Sequence, residues 1–385
     1  MRILFVGMYG VPFLKRASDV RMLSFANLFS SLDYNVTILN RYSPGKALPQ
    51  IDMHVDSNIQ IDEIIKKRNH KFLETILYLI SILIEPIKIV KLNKVEKIDI
   101  LNIYSGHYLD IVFYSLIKRI IKAKIVYHYV EYRSAFHKSS IYHKINSYLV
   151  DKYGPKFFDG AVCISNFLEN KVAEINPNAT IIKVPPVCDF KYIESIQSDK
   201  SKFGCEPYLV FCGSVYANEV INLILESYNH SKISQQVNLK MVLYGNHVKF
   251  AQWQEKHPNV EFYQKLDYND LIMLFKGATG LFIPLRNTVQ DKARFPNKIC
   301  EYAATRGVII TTNNGEIPFY FKDLVDAIIA EDFQVDAMSK KLDWLADNFN
   351  CLEYIRANVL ELGYQHFNIE HYKLPIVDFI QDLNS

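Results

Sequence analysis

Short apolar runs that stop at a glycine, each followed by a stretch with apolar residues at helical spacing, recur along this chain. Residues 3–6 form the first run, and Gly7 and Gly10 follow it. Met22, Leu23, Phe25, Ala26, Leu28, Phe29 and Leu32 then mark one face of a helix, and residues 36–39 a second strand. The pattern returns as a strand at 99–104, a loop with Gly106, a helix near 109–121 and a strand at 124–130. It returns again as a strand at 160–164, with Ser165 placed to cap the next helix. After residue 200 it restarts: strand 208–214 ending in a glycine turn, helix 218–228, then strands 239–245, 260–266 and 280–285. Strands alternating with helices predict parallel sheets covered on both faces.

The chain's 385 residues are long for one core, and two domains are expected. Pro185 and Pro186 stop any helix, and a polar stretch runs on to residue 201, so the boundary is placed near 190. The fold class is α/β, with Rossmann-like domains at 1–190 and 191–371. Ligands of such sheets sit beyond the carboxyl ends of the strands, and two of them facing each other would form a deep cleft. A dinucleotide site is disfavoured. The first glycines do not match GxGxxG, and strand 36–39 leads to Asn40 and Arg41 where an acid would hold the ribose.

Composition narrows the function classes. With 49% hydrophobic and 22% charged residues the chain is globular, and a net charge of +3 gives no reason to expect nucleic acid as a partner. Six scattered cysteines without a CxxC pair, and no clustered histidines, predict reduced thiols, no metal site and a cytoplasmic protein. Residues 72–90 are strongly apolar, but Glu74, Glu85 and Pro86 interrupt them below the ~20 residues a membrane span needs. Lys66, Lys67, Arg68 and Lys71 border this segment, which reads as a solvated rim on a core helix or as a face resting on anionic lipid.

The most informative stretch is 284–318, which predicts a strand end, a long loop, a helix beginning near Pro296, a stop at Gly307 and a strand at 308–312. Lys298, Glu301 and Thr305 are three and four residues apart and share a face. A carboxylate there can accept two hydroxyl hydrogen bonds from a ribose. The amides at the helix start, with Lys298, can hold a diphosphate. An ordinary first-turn acid and a solvated lysine explain the same residues equally well.

The run FPNKICEYAATRGVIIT resembles the donor-site helix of the large retaining glycosyltransferase family with the GT-B fold, the glycosyl transferases group 1 type. The likeness extends to RILFVGMYG, FFDGAVCISNFLENKV, VPPVCDFKYI and FCGSVYANEVINLILES, in the family's order. It implies that Glu301 binds the donor ribose and that Gly213 and Ser214 form the turn approaching the phosphates. His128 and Glu131 would stand at the reaction centre, with Gly10, Arg21 and His107 on the acceptor side. Residues 372–385 would form the helix that crosses back to the first domain. Activity would need no cofactor and no obligatory metal, only a UDP- or GDP-sugar as co-substrate.

Two stretches depart from the family pattern. Ala293 stands where a first Glu would touch the sugar hydroxyls, which leaves Asp291 as its substitute. Asn218 and Glu219 follow the Gly213 turn where cations are usual, so Arg286, Lys292, Arg294 or Lys298 would have to neutralise the diphosphate. The expected acceptor is a saccharide or a lipid-linked saccharide at the inner face of a membrane. The rival readings are a nucleotide-sugar epimerase of the same fold and a weakly catalytic nucleotide-sugar-binding subunit.

Overall fold

A computed structural model describes residues 1–8, 11, 17–43, 55–66, 71–136, 140–198 and 202–385. Gly10, Lys67 and Arg68 lie outside the described residues, as do the side chains of Lys66 and Lys71. The chain divides into two compact units, Met1–Pro185 with Ile369–Ser385, and Pro186–Asn368.

Unit 1 is a seven-stranded parallel sheet of β1 (Arg2–Met8), β2 (Asn35–Ser43), β3 (Gln60–Lys66), β4 (Ile100–Ile103), β5 (Lys124–Tyr129), β6 (Gly160–Cys163) and β7 (Thr180–Lys183). Its order is β3-β2-β1-β4-β5-β6-β7, with Phe5 paired to Ile38 on one side and Asn102 on the other. β1 is buried at every position, as expected of a strand covered on both faces. Ser165 caps helix Asn166–Ile175 by accepting a hydrogen bond from the Leu168 amide at 3.3 Å. The terminal helix Lys373–Asn384 packs against β7. It lies so close to β6 that a Cβ on Gly160 would come within 2.8 Å of the Phe379 ring.

The apolar segment around residues 72–90 is part of one helix, Lys71–Val95, which runs through Pro86. Among the described residues no helix is long and apolar enough to cross a membrane. Glu85 points inward from this helix and is fully buried against Arg41, also fully buried, with Nε to Oε2 at 2.8 Å. Asp110 takes Arg41 Nη1 at 2.9 Å, and the Tyr114 hydroxyl bridges Arg41 Nη2 (3.0 Å) and Glu85 Oε1 (2.9 Å). The Ser105 hydroxyl donates to Asp110 at 2.5 Å. One buried guanidinium thus serves two carboxylates, and burial, opposed by Arg41, raises the Glu85 carboxyl above its usual range.

Unit 2 is a six-stranded parallel sheet of β8 (Tyr208–Ser214), β9 (Asn238–Tyr244), β10 (Glu261–Tyr263), β11 (Gly280–Phe282), β12 (Ile309–Thr312) and β13 (Ile328–Ala330), ordered β10-β9-β8-β11-β12-β13. Its core gathers Leu209, Met241, Phe282, Ile310 and Ile328 from the strands with Ile221, Leu342 and Ile355 from the helices. In each unit the strand order reverses once, between β1 and β4 and between β8 and β11. Such a reversal opens a crevice at the carboxyl ends of the two strands, where ligands of open α/β sheets bind.

Candidate functional site

At the crevice of unit 2, β8 ends in Gly213 and Ser214, and the chain leaving β11 supplies Arg286. The expected long loop holds a short helix, Val289–Ala293, which Thr288 caps by accepting from the Asp291 amide at 3.2 Å. This capped turn points Asp291 inward, fully buried, between two arginines. Arg286 donates to it from its backbone amide (2.9 Å) and its Nε (2.8 Å), and Arg294 Nη2 lies 2.8 Å from the other oxygen. Burial works to raise the Asp291 carboxyl, but the arginines outweigh it and hold it below the ordinary range. Gly315 closes the same corner. Its φ of +62° suits glycine, and a Cβ there would meet the Asp291 carbonyl oxygen at 2.6 Å.

Arg286 also reaches Glu219, Nη1 to Oε2 at 2.7 Å. Glu219, one of the two residues standing where cations are usual, therefore brings an arginine to the first turn of helix Asn218–His230, beside the Gly213 turn. Hydrogen bonding to Asp291, joined by Glu219, raises the Arg286 pKa still further and keeps it charged.

Helix Lys298–Ala304 is buried from Ile299 onward, and Glu301 with it. Lys298 Nζ lies 3.0 Å from Glu301 Oε2, and the Thr305 hydroxyl donates to the Glu301 carbonyl at 3.0 Å. Burial alone would lower the Lys298 ammonium, but Glu301, Cys212 and Tyr244 outweigh it and raise it. Cys212 and Tyr244 were not singled out from the sequence. Both sit at the ends of strands, one residue before Gly213 and Gly245, and that position is the signal that marks them. Burial pushes the Cys212 thiol up to about 11, with Glu301 adding and Lys298 opposing.

In unit 1 the crevice between β1 and β4 holds a cavity of about 180 Å³ lined by Gly7, Asp19, Ser105, His107 and Arg133, among others. Burial lowers the His107 pKa. Arg21 does not line this cavity. Its Nη1 and Nη2 donate to the Pro185 and Val184 carbonyls, both at 2.8 Å, so it clamps the end of the unit's chain. Glu131 is half-buried on the loop after β5. Asp151 fixes that loop by accepting from the Arg133 and Ser134 amides at 3.2 and 2.6 Å and from the Tyr129 hydroxyl at 2.9 Å. Sequence reasoning missed Asp151 and Arg133. The former's signal is that it is the one acid in the helix Ile141–Tyr153.

His128 lies on β5, buried under Phe25, ring to ring at 4.6 Å and nearly perpendicular. Neither ring nitrogen has a hydrogen-bond partner among the described residues. Burial, aided by Arg21, holds its pKa well below the ordinary value, so the ring is neutral at pH 7. The unfolded state then binds a proton more readily as pH falls below about 6.5, and the native state loses stability in that window. His128→Leu is expected to flatten the melting temperature between pH 7 and 5. At pH 7 it should cost nothing, because it removes two unsatisfied nitrogens. A parallel pH dependence in parent and variant would show that His128 is not the group responsible.

Among the described residues no group of three His, Cys, Asp or Glu side chains gathers as a metal site. All six cysteines are free thiols.

Residues 193–359 match the family model described as Glycosyl transferases group 1, a span that takes in the Gly213 turn, Arg286, Asp291, Lys298 and Glu301. No curated protein sequence matches the chain. Among solved structures, sucrose-phosphate synthase (tll1590) from Thermosynechococcus elongatus is similar with a TM-score of 0.76 at 10% identity, over 99% of this chain and 98% of that one. Anabaena Alr3699/HepE in complex with UDP-glucose gives 0.68 at 12% identity, over 99% of both chains. A putative UDP-N-acetylglucosamine 2-epimerase from Listeria monocytogenes gives 0.61 at 11%, over 99% of this chain and 95% of that one. At such identities the likeness establishes the fold and leaves the chemistry to the family match. The chain is a glycosyltransferase of the GT-B fold, and residues 193–359 are the part of it that matches the glycosyl transferases group 1 family.

Proposed function

We propose that the protein transfers a sugar from a UDP- or GDP-sugar to a saccharide, in its preferred form lipid-linked, with retention of anomeric configuration and without an obligatory metal, on the cytoplasmic side of a membrane. The observation that carries this reading is the pairing of Lys298 with the buried Glu301 at the crevice of the matched domain, with Arg286 held beside the Gly213 turn. The similar HepE structure holds UDP-glucose. In this reading Glu301 accepts the two ribose hydroxyls, while Lys298, Arg286 and Arg294 face the diphosphate. They stabilise the charge that grows as the sugar departs. Asp291 positions the two arginines and does not touch the sugar, because both its oxygens already hold guanidinium groups. The departing phosphate oxygen and the incoming hydroxyl meet on one face of the sugar, which is what gives retention. His128 and Glu131 stand for the sugar side, and His107 for the acceptor side.

The test begins with a donor screen by thermal shift, since a ligand that binds only the folded state raises the melting temperature. With the donor found, Glu301→Gln should weaken its binding by about 1–3 kcal/mol, the range for a hydrogen bond to a charged group. Lys298→Ala should lose affinity for the nucleoside diphosphate far more than for the nucleoside. Equal losses for both ligands would leave Lys298 as a structural partner of Glu301 only. Inverted anomeric configuration in the product, read by NMR, would refute retention, and loss of transfer in a chelator would refute metal independence.

A further inference from the structure

We propose that one face of unit 1, formed by the outer sides of three adjacent helices, docks on an anionic lipid bilayer. The helices are Lys71–Val95, Tyr108–Ile121 and Ile141–Tyr153. The steps β3 to β4, β4 to β5 and β5 to β6 all advance the same way across the sheet. Right-handed crossovers therefore place all three connecting helices on one side, and each packs against the next.

Their outer sides are apolar where a solvated helix would be polar. The first exposes Leu83 (71% accessible), Ile84 and Ile87, one helical turn apart. The second exposes Leu116 and Ile120 (68%), and the third Ile141 (75%), Ile145 and Tyr148. Isolated exposed apolar residues are ordinary, but a contiguous set over three neighbouring helices marks an interaction surface.

Charge selects the occupant. Glu85, Asp110 and Asp151 are the acidic residues of these helices among the described side chains, and all three point inward and are buried. The outward charges are cationic: Lys91 and Lys94, then Arg119, then Lys144 and Lys152. Beside the third helix lies a cavity of about 450 Å³ whose lining includes Lys152 and Lys156 together with Tyr148 and Tyr153, while its third lysine, Lys171, is paired with Glu174 at 2.7 Å. A second copy of the chain would bring like charges together, whereas an anionic bilayer complements both the apolar residues and the lysines. Each basic residue near such a surface adds to the attraction, and salt screens it.

This deepens the reading of a lipid-linked acceptor, and it can fail independently of it. The experiment is co-sedimentation of the full chain with vesicles of phosphatidylcholine alone and of phosphatidylcholine with phosphatidylglycerol, at low and high salt. The parent should bind the anionic vesicles at least tenfold more tightly at low salt. Ile120→Glu/Ile145→Glu and Lys144→Glu/Lys152→Glu should each lower that binding at least tenfold. All four residues are exposed, so the melting temperature and the donor-induced thermal shift should stay at parent values. Equal binding of both vesicle types, or parent-like binding by both variants, would overturn the proposal. So would a parent dimer in sedimentation equilibrium that Ile120→Glu/Ile145→Glu dissociates. Normal vesicle binding with no stabilising nucleotide sugar would instead sink the donor assignment and leave this face standing.

Discussion

Arg41→Met is expected to destabilise unit 1 by about 3–5 kcal/mol, the cost of leaving a buried ion cluster without one partner. Among the described residues Arg41 is the cation paired with both Glu85 and Asp110, all three buried. Without it two carboxylates face each other in the core, and one must take up a proton or the helix Lys71–Val95 must move. Glu85→Gln is the contrasting variant. It keeps a hydrogen-bonding group near Tyr114 and leaves the Arg41–Asp110 pair neutral, so its cost should be about 1 kcal/mol, that of a single hydrogen bond. Urea unfolding of the three proteins, followed by hydrogen exchange on β1 and β4, separates the cases. Equal losses for the two variants would mean that Glu85, not Arg41, organises the cluster. The cluster also shapes the unit 1 cavity, because Asp110 holds Ser105, which lines it beside His107.

Asp291→Ala has the second-largest expected effect, about 3 kcal/mol. It removes a fully buried carboxylate, yet Arg286 and Arg294 keep some access to water, which places the cost at the low end of the range for a broken ion pair. Its pH dependence identifies the cause. The folded-state pKa of Asp291 is depressed, so its stabilisation is fully present above the unfolded value of about 3.9 and is lost as pH falls through the lower folded value. Parent and Asp291→Asn should therefore differ most at pH 7 and converge in strong acid. A constant difference from pH 7 to strong acid would assign the loss to packing in place of charge.

How far these elements were legible in the sequence follows from burial. Strand β8 was expected with its actual bounds, because a strand covered on both faces reads as a continuous apolar run and Gly213 ends it. Strand β3 was missed. It is a half-buried edge strand with Asp62 and Glu63 in its middle, so its apolar run is broken. Helix Ile141–Tyr153 gave no signal because its polarity is reversed: Asn146, Ser147 and Asp151 point inward while Ile141 and Ile145 point out. Strand 260–266 is only Glu261–Tyr263, half-exposed at an edge of the unit 2 sheet.

The site divides in the same way. Lys298 and Glu301 were readable because three residues on a helix fix their distance. Arg286, Asp291 and Arg294 were all named as candidates, but their joint arrangement depends on the short helix after Thr288, which loop composition did not reveal. The Glu219 contact with Arg286 joins positions 67 residues apart and has no local signature. It is nevertheless what supplies a cation where Asn218 and Glu219 had suggested none.

Sugar transfer from a nucleotide donor is tested by incubation with radiolabelled sugar nucleotides. The protein is mixed with each labelled UDP- and GDP-sugar and with saccharide and lipid-linked saccharide acceptors, and the label is followed by chromatography. One donor's label should move to an acceptor, and Glu301→Gln and Lys298→Ala should slow the transfer. Label that stays on the nucleotide as a different sugar, or that remains bound to the protein without moving to any acceptor, would contradict it.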